Sequence, residues 1–192
     1  MQAELYDPTQ LRGKRFSILG STSVSRLYHS EAILLHDGRI LVTGSDPQDN
    51  TNPQEYRMEV YVPPYLTSGR IQPTYTIANR DWSYGKQYQV TVTLPQGPIS
   101  GMRISLIGGS STTHGAVFGQ RTIFPTFSVS GNVCTITAPP NGYVAPPGWY
   151  QLFILDGPTP SKSQWVRMGS DPAGLGNWPN APGFTLPGVG GI

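Results

Sequence analysis

Few side chains in this sequence can hold a transition metal or pass a proton: three histidines, one cysteine and ten tyrosines. His29 stands in Arg26-Leu27-Tyr28-His29-Ser30, directly ahead of the apolar run Ala32-Ile33-Leu34-Leu35. His114 stands in Gly108-Gly109-Ser110-Ser111-Thr112-Thr113-His114-Gly115, a loop of small residues after the apolar stretch Ile104–Ile107. A histidine on such a loop at a strand end suits a metal site, because the loop backbone can aim the ring. His36, in the turn His36-Asp37-Gly38, reads as an exposed polar residue. Two imidazoles with a phenol favour copper or iron over calcium, on ligand softness and geometry. Taken alone, each histidine reads more readily as a surface or hydrogen-bonded residue, and their separation is far too long for a local metal motif. Tyr28 and His29 are neighbours, and neighbours on a strand point to opposite sides. Both reach one metal only where the backbone leaves regular strand geometry.

Other chemistries find less to stand on. Gly108-Gly109-Ser110-Ser111 lacks the Gly-Lys-Ser/Thr ending of a phosphate loop, and no Gly-x-Ser-x-Gly occurs. Asp81, Asp156 and Asp171 each sit beside turn residues, where aspartate bonds its own backbone. Trp82, Tyr84, Tyr143, Trp149 and Trp165 could build a sugar-stacking platform, or pack within a sheet core. Cys134, inside Val133-Cys134-Thr135-Ile136, reads as a small buried hydrophobe.

The elements that must position these groups are strands. The chain has 192 residues, a net charge of +2 and only 12% charged residues, about half the usual share of roughly 25%. Gly and Pro number 23 and 19, a punctuation that favours short strands joined by turns. The small net charge and absence of basic runs leave no footprint for nucleic acid. No apolar stretch is long enough to span a membrane, and one cysteine excludes an internal disulfide framework. Met1–Gln10 has no apolar region of the secretory type, although the low charge has an extracellular texture.

In Ala32–Val42 two apolar runs flank Asp37-Gly38, a strong hairpin signal, and Met58–Val62 adds a third run before Pro63-Pro64. That segment, residues 1–62, reads as part of one β-propeller blade, which cannot bury both faces alone. From 65 to 168, seven runs alternate in part: Thr74–Ile77, Gln87–Leu94, Met102–Ile107, Thr126–Val129, Val133–Ala138, Tyr150–Leu155 and Gln164–Met168. They predict an immunoglobulin-like antiparallel β-sandwich. Residues 169–192 form a Gly/Pro-rich tail. The fold class is all-β, and the chain reads as the C-terminal part of something larger.

Three ordered stretches resemble the copper radical oxidases, galactose oxidase and glyoxal oxidase: Arg26–Arg39, Gly108–Arg121 and Pro147–Leu155. Val62-Pro63-Pro64-Tyr65-Leu66 resembles the family's junction between propeller and sandwich. The resemblance implies a sandwich that caps a propeller and delivers His114 on a long loop towards copper. It implies that His29 and His114 are equatorial copper ligands. Tyr28 would be the axial tyrosine, a metal ligand and a catalytic residue that accepts the substrate proton. The implied reaction is oxidation of small aldehydes or primary alcohols by dioxygen, giving hydrogen peroxide, in a secreted enzyme. The family's radical tyrosine, its cross-linked cysteine and the aromatic ring stacked on them lie upstream of the matching residues, and Cys134 has no counterpart among them. The expectation is therefore a chain with an incomplete copper site, inactive by itself. The alternative is a free-standing immunoglobulin-like module, structural or binding carbohydrate.

Overall fold

The computed structural model describes residues 2–119 and 121–169; the expected tail from 170 onwards, with Asp171, lies outside them. Two compact units emerge. The first holds residues 2–67 and Ser110–Gly119, the second Ser68–Gly109 and the described residues from 121 on.

The first unit opens with β1 (Gln2–Tyr6) and β2 (Phe16–Ser21), an antiparallel hairpin with an irregular register near Glu4. The apolar run Phe16-Ser17-Ile18-Leu19 lies on β2. The hairpin was hidden because its connection is long and Asp7 orders it through side-chain bonds to Thr9 and Gln10. Strands β3 (Ser30–Leu34), β4 (Ile40–Gly44) and β5 (Glu59–Tyr61) form an antiparallel meander. Its first turn is closed by Leu35 N–H donating to Arg39 C=O at 2.8 Å and by the Asp37 carboxylate accepting from Arg39 N–H. A helical turn, α1 (Pro64–Thr67), follows, and the Tyr65 hydroxyl donates to Gly38 C=O at 2.6 Å. None of the residues in β1 to β5 is fully buried. Phe16 and Ile18 are each 67% exposed, so this unit has the incomplete core expected of a partial blade.

The second unit begins with β6 (Thr74–Ile77), β7 (Asp81–Trp82), β8 (Gln87–Thr93) and β9 (Met102–Gly108). The chain then makes the hairpin β10 (Ser111–Thr113) and β11 (Ala116–Phe118), which belongs to the first unit and packs on β3. It returns as β12 (Thr122–Ile123), β13 (Phe127–Ser130), β14 (Val133–Thr137), β15 (Gly148–Asp156), β16 (Thr159–Pro160) and β17 (Gln164–Met168). One sheet runs β13-β14-β8-β6; the other runs β12-β9-β15-β17-β7 with β16 on β15. All seven runs read from the sequence are strands here; β8 and β14 alternate with one side in the core, whereas β9 and β15, in the middle of their sheet, are buried along consecutive residues. Val90, Val92, Cys134 and Ile136 come from the first sheet; Ile104, Leu106, Leu152, Ile154, Val166 and Met168 come from the second. Burying each such side chain contributes roughly 1–3 kcal/mol. Among the described residues, this core cluster lies wholly in the second unit. The molecule is all-β, a blade-like piece followed by an immunoglobulin-like sandwich.

Candidate metal centre

Between Arg26 and Ser30 the chain turns instead of continuing as a strand. His29 has φ 59°, a left-handed conformation that histidine enters more readily than most non-glycine residues. The side chains of Tyr28 and His29 therefore do not diverge: their ring centroids lie 3.9 Å apart with planes at 32°.

The turn is clasped by Gly44-Ser45-Asp46, at the end of β4. Leu27 N–H donates to Ser45 Oγ at 2.8 Å, and Asp46 N–H donates to Tyr28 C=O at 2.8 Å. The His29 ring meets Asp46 C=O through Nδ1 at 3.1 Å. Gly44, at φ +75°, lies so close that a Cβ there would stand 2.6 Å from the His29 carbonyl oxygen. Only glycine combines that dihedral with that approach.

Beneath the clasp lies Arg26, 3% exposed. Its guanidinium donates to Gly44 C=O at 2.8 Å, to Arg57 C=O at 2.9 Å and to Glu59 Oε2 at 2.8 Å. Thr22 Oγ1 donates to the other Glu59 oxygen at 2.5 Å. Bonds from Thr22 and then Arg26 hold the Glu59 carboxyl below the usual carboxylate range. Ser45 and Asp46 open a polar stretch that carries no metal-site motif. Asp46 contributes through its main chain, which no residue type announces, and Ser45 through a hydroxyl that any serine carries.

His114 arrives at the tip of the β10–β11 hairpin, the form that the expected loop of small residues takes here. Thr113 pairs with Ala116, and the two residues between, His114 and Gly115, have φ 56° and 72°. Positive φ at both central positions is the type I′ turn that suits the twist of a two-residue hairpin. Thr113 Oγ1 lies 2.6 Å from His114 Nδ1. The ring stands edge-on to Tyr28, centroids 5.5 Å apart, and to His29, centroids 4.8 Å apart.

The two imidazoles point Nε2 at Nε2 across 3.1 Å. A carbonyl only accepts, so the bond to Asp46 places the His29 proton on Nδ1 and leaves its Nε2 as a lone pair. Thr113 can donate to or accept from His114 Nδ1. If it donates, His114 Nε2–H bonds His29. If it accepts, two lone pairs converge and need a cation between them. Bonds of about 2.0 Å from each nitrogen could reach one shared metal only if the two lie within about 4 Å of each other, and the distance found meets that limit. Two imidazoles and a phenol are donors that suit Cu(II). Among the described residues, no third His, Cys, Asp or Glu joins the pair. The Tyr28 ring, 51% exposed, lies beside both imidazoles and carries a phenol oxygen.

The other singled-out residues lie elsewhere. His36 is exposed on its turn. Cys134 is fully buried, and burial pushes its thiol up to about 11. Trp82 is buried and stacked on Tyr88, centroids 4.8 Å apart, so it offers no face to a ligand. Trp149 and Trp165 remain exposed on neighbouring strands, with Arg167 over the Trp149 ring. Asp81 pairs with Arg167, and buried Asp156 accepts from Gln96 N–H at 2.8 Å. A cleft of about 470 Å³ in the first unit reaches Arg26 and Glu59 but is not lined by Tyr28, His29 or His114. Among the described residues, no helix is long and apolar enough to cross a membrane.

Residues 72–168 match the family described as "Galactose oxidase-like, Early set domain", and residues 1–65 match "Glyoxal oxidase N-terminus". A WSC domain-containing protein of Arthroderma benhamiae is 57% identical over 97% of this chain and 20% of its own. A putative aldehyde oxidase, Art an 7, of Artemisia annua is 36% identical over 85% of this chain and 30% of its own. The chain thus spans less than a third of the length of either relative. A solved fungal alcohol oxidase of the AA5 family, in complex with copper, superposes with a TM-score of 0.74 at 25% identity, covering 87% of this chain and 35% of that one. With half its length in the galactose oxidase-like early set domain and the preceding residues in the glyoxal oxidase domain, this chain belongs to the copper radical oxidase family of glyoxal and galactose oxidases.

Proposed function

We propose that this chain is the C-terminal part of a secreted aldehyde or alcohol oxidase. It would contribute three protein ligands to copper: His29 and His114 through Nε2, and Tyr28 through its phenol oxygen. The observation that carries this reading is the 3.1 Å approach of the two Nε2 atoms beside the Tyr28 ring. Copper, when bound, supplies a Lewis acid that makes a substrate hydroxyl more acidic. Tyr28 is the residue here whose oxygen can take that proton. The Asp46 carbonyl holds the His29 proton on Nδ1, and Thr113 can do the same for His114, which keeps both Nε2 lone pairs for the metal. The relatives' names support aldehydes or alcohols as substrates, and the proposed reaction takes dioxygen as oxidant and gives hydrogen peroxide as the second product.

No radical-forming tyrosine–cysteine pair belongs to this reading of the chain. Its one cysteine is fully buried in the sandwich core, in the unit that does not hold the two histidines. The 192 residues alone are therefore inactive. A peroxide assay with methylglyoxal, on the copper-loaded chain and on a longer polypeptide carrying the upstream propeller, tests this. Peroxide from the longer form only is expected. Peroxide from the chain alone would overturn the claim that the radical lies outside it, and none from either would overturn the oxidase reading.

A further inference from the structure

A buried arginine in a unit without a real core calls for a reason. Arg26 is 3% exposed, yet among the described residues the buried apolar cluster lies in the other unit. Its donors go to three acceptors. Glu59 balances the charge, and the other two are main-chain carbonyls, of Gly44 and Arg57. The Gly44 carbonyl begins the strap Gly44-Ser45-Asp46, whose contacts with residues 27–29 hold the two consecutive candidate ligands and the residue that precedes them. Ser45 fixes the Leu27 amide, the Asp46 amide fixes the Tyr28 carbonyl, and the Asp46 carbonyl fixes the His29 ring. Gly44 itself limits where the His29 carbonyl can go.

We propose that Arg26 is a positioning residue of the metal centre: by pinning the Gly44 carbonyl it sets the strap that holds Tyr28 and His29 in register with His114. The inference rests on the metal-binding reading above. A flat fork of five N–H donors is what the position requires, since the three acceptors lie in different directions. Lysine, a point charge on a flexible stem, can reach Glu59 but cannot serve both carbonyls as well. Arg26 touches neither the metal nor the substrate, so its effect is on the geometry of the ligands.

The test uses the full 192-residue chain, with Cu(II) alone as probe, and reads affinity by calorimetric titration and site geometry by electron paramagnetic resonance. The variants are Arg26→Lys and Ser45→Ala. Ser45→Ala loosens the same strap without disturbing the buried charge. For Arg26→Lys, a 10- to 100-fold loss of affinity is expected, the range typical of losing a partner that orients a metal ligand, with a broadened spectrum that differs from wild type. For Ser45→Ala, a smaller loss in the same direction is expected, with the fold kept by circular dichroism. If wild type fails to bind copper, the metal-binding reading falls and the inference with it. If wild type binds through both histidines while the Arg26→Lys variant, folded, binds as tightly with an unchanged spectrum, the positioning role alone is overturned. Should Arg26→Lys not fold, Ser45→Ala decides: wild-type affinity and spectrum would overturn the strap's role.

Discussion

His29 Nε2 and His114 Nε2 stand 3.1 Å apart although 85 residues separate them along the chain. Each histidine is placed by a residue conformation with positive φ, 59° at His29 and 56° at His114, and the two turns belong to unrelated elements. One ends a strand connection, and the other is the tip of a hairpin. Both conformations are uncommon for a residue with a side chain and cost on the order of 1 kcal/mol each. That two such turns aim nitrogens at one point is the physical basis for reading a ligand site here.

Gly44→Ala is expected to destabilise the first unit by about 1–3 kcal/mol. The added methyl would stand 2.6 Å from the His29 carbonyl oxygen, on a backbone at φ +75°. Urea unfolding followed by tyrosine fluorescence measures the loss, and Cu(II) affinity should fall with it. Full retention of both would show that the His29 carbonyl moves freely.

Tyr28→Phe keeps the ring that lies 3.9 Å from His29 and deletes the phenol oxygen. Copper binding through the histidines should persist, weakened by no more than about tenfold, while the paramagnetic spectrum shifts as an oxygen donor is lost. In a reconstituted longer enzyme the same change should abolish peroxide formation. An unchanged spectrum would remove Tyr28 from the ligand set.

Cys134 gives a pH signature for the sandwich. Burial raises its folded thiol from 9.0 to about 11, so the unfolded chain releases this proton first. Its contribution to stability is thus fully present below about pH 9 and is lost as pH rises towards 11. Urea midpoints taken across that window should fall more steeply for wild type than for Cys134→Ala. At pH 8 the native thiol should resist iodoacetamide until denaturant is added. Parallel pH profiles would contradict the assignment.

The hairpin that carries His114 should be dispensable to the sandwich. β9 and β12 are neighbours, and Gly108 N–H donates to Arg121 C=O at 2.8 Å. Replacing residues 110–119 by a short Gly-Asn-Gly turn should therefore leave the melting temperature of the second unit within a few degrees, because closing a shorter loop costs little. A collapse of the sandwich would mean the hairpin is structural there.

What could be read from residues alone follows the range of the physics. The sandwich was legible because alternation in Gln87–Thr93 and Val133–Thr137 is a local record of which side faces the core. The Asp37-Gly38 hairpin was legible because a short turn signal between two apolar runs is equally local. The adjacency of Tyr28 and His29 warned that a strand could not serve both, and the turn at His29 meets that condition. The convergence of His29 with His114 was not legible as geometry, since it depends on a hairpin from between two sandwich strands packing on β3. Nor was the strap, because Asp46 acts through its amide and carbonyl, which every residue type shares.

Calorimetric titration of the chain with Cu(II), on wild type and on the His29→Ala and His114→Ala variants, tests the central claim most directly. The expected result is one-to-one binding in wild type, weakened more than about 100-fold in either variant, beyond the usual effect of losing an outer partner. Because His114 is exposed at a hairpin tip, its removal should change stability by no more than about 0.5 kcal/mol. Binding that survives the loss of both histidines, or wild-type affinity no better than that of the variants, would contradict a metal centre at this pair.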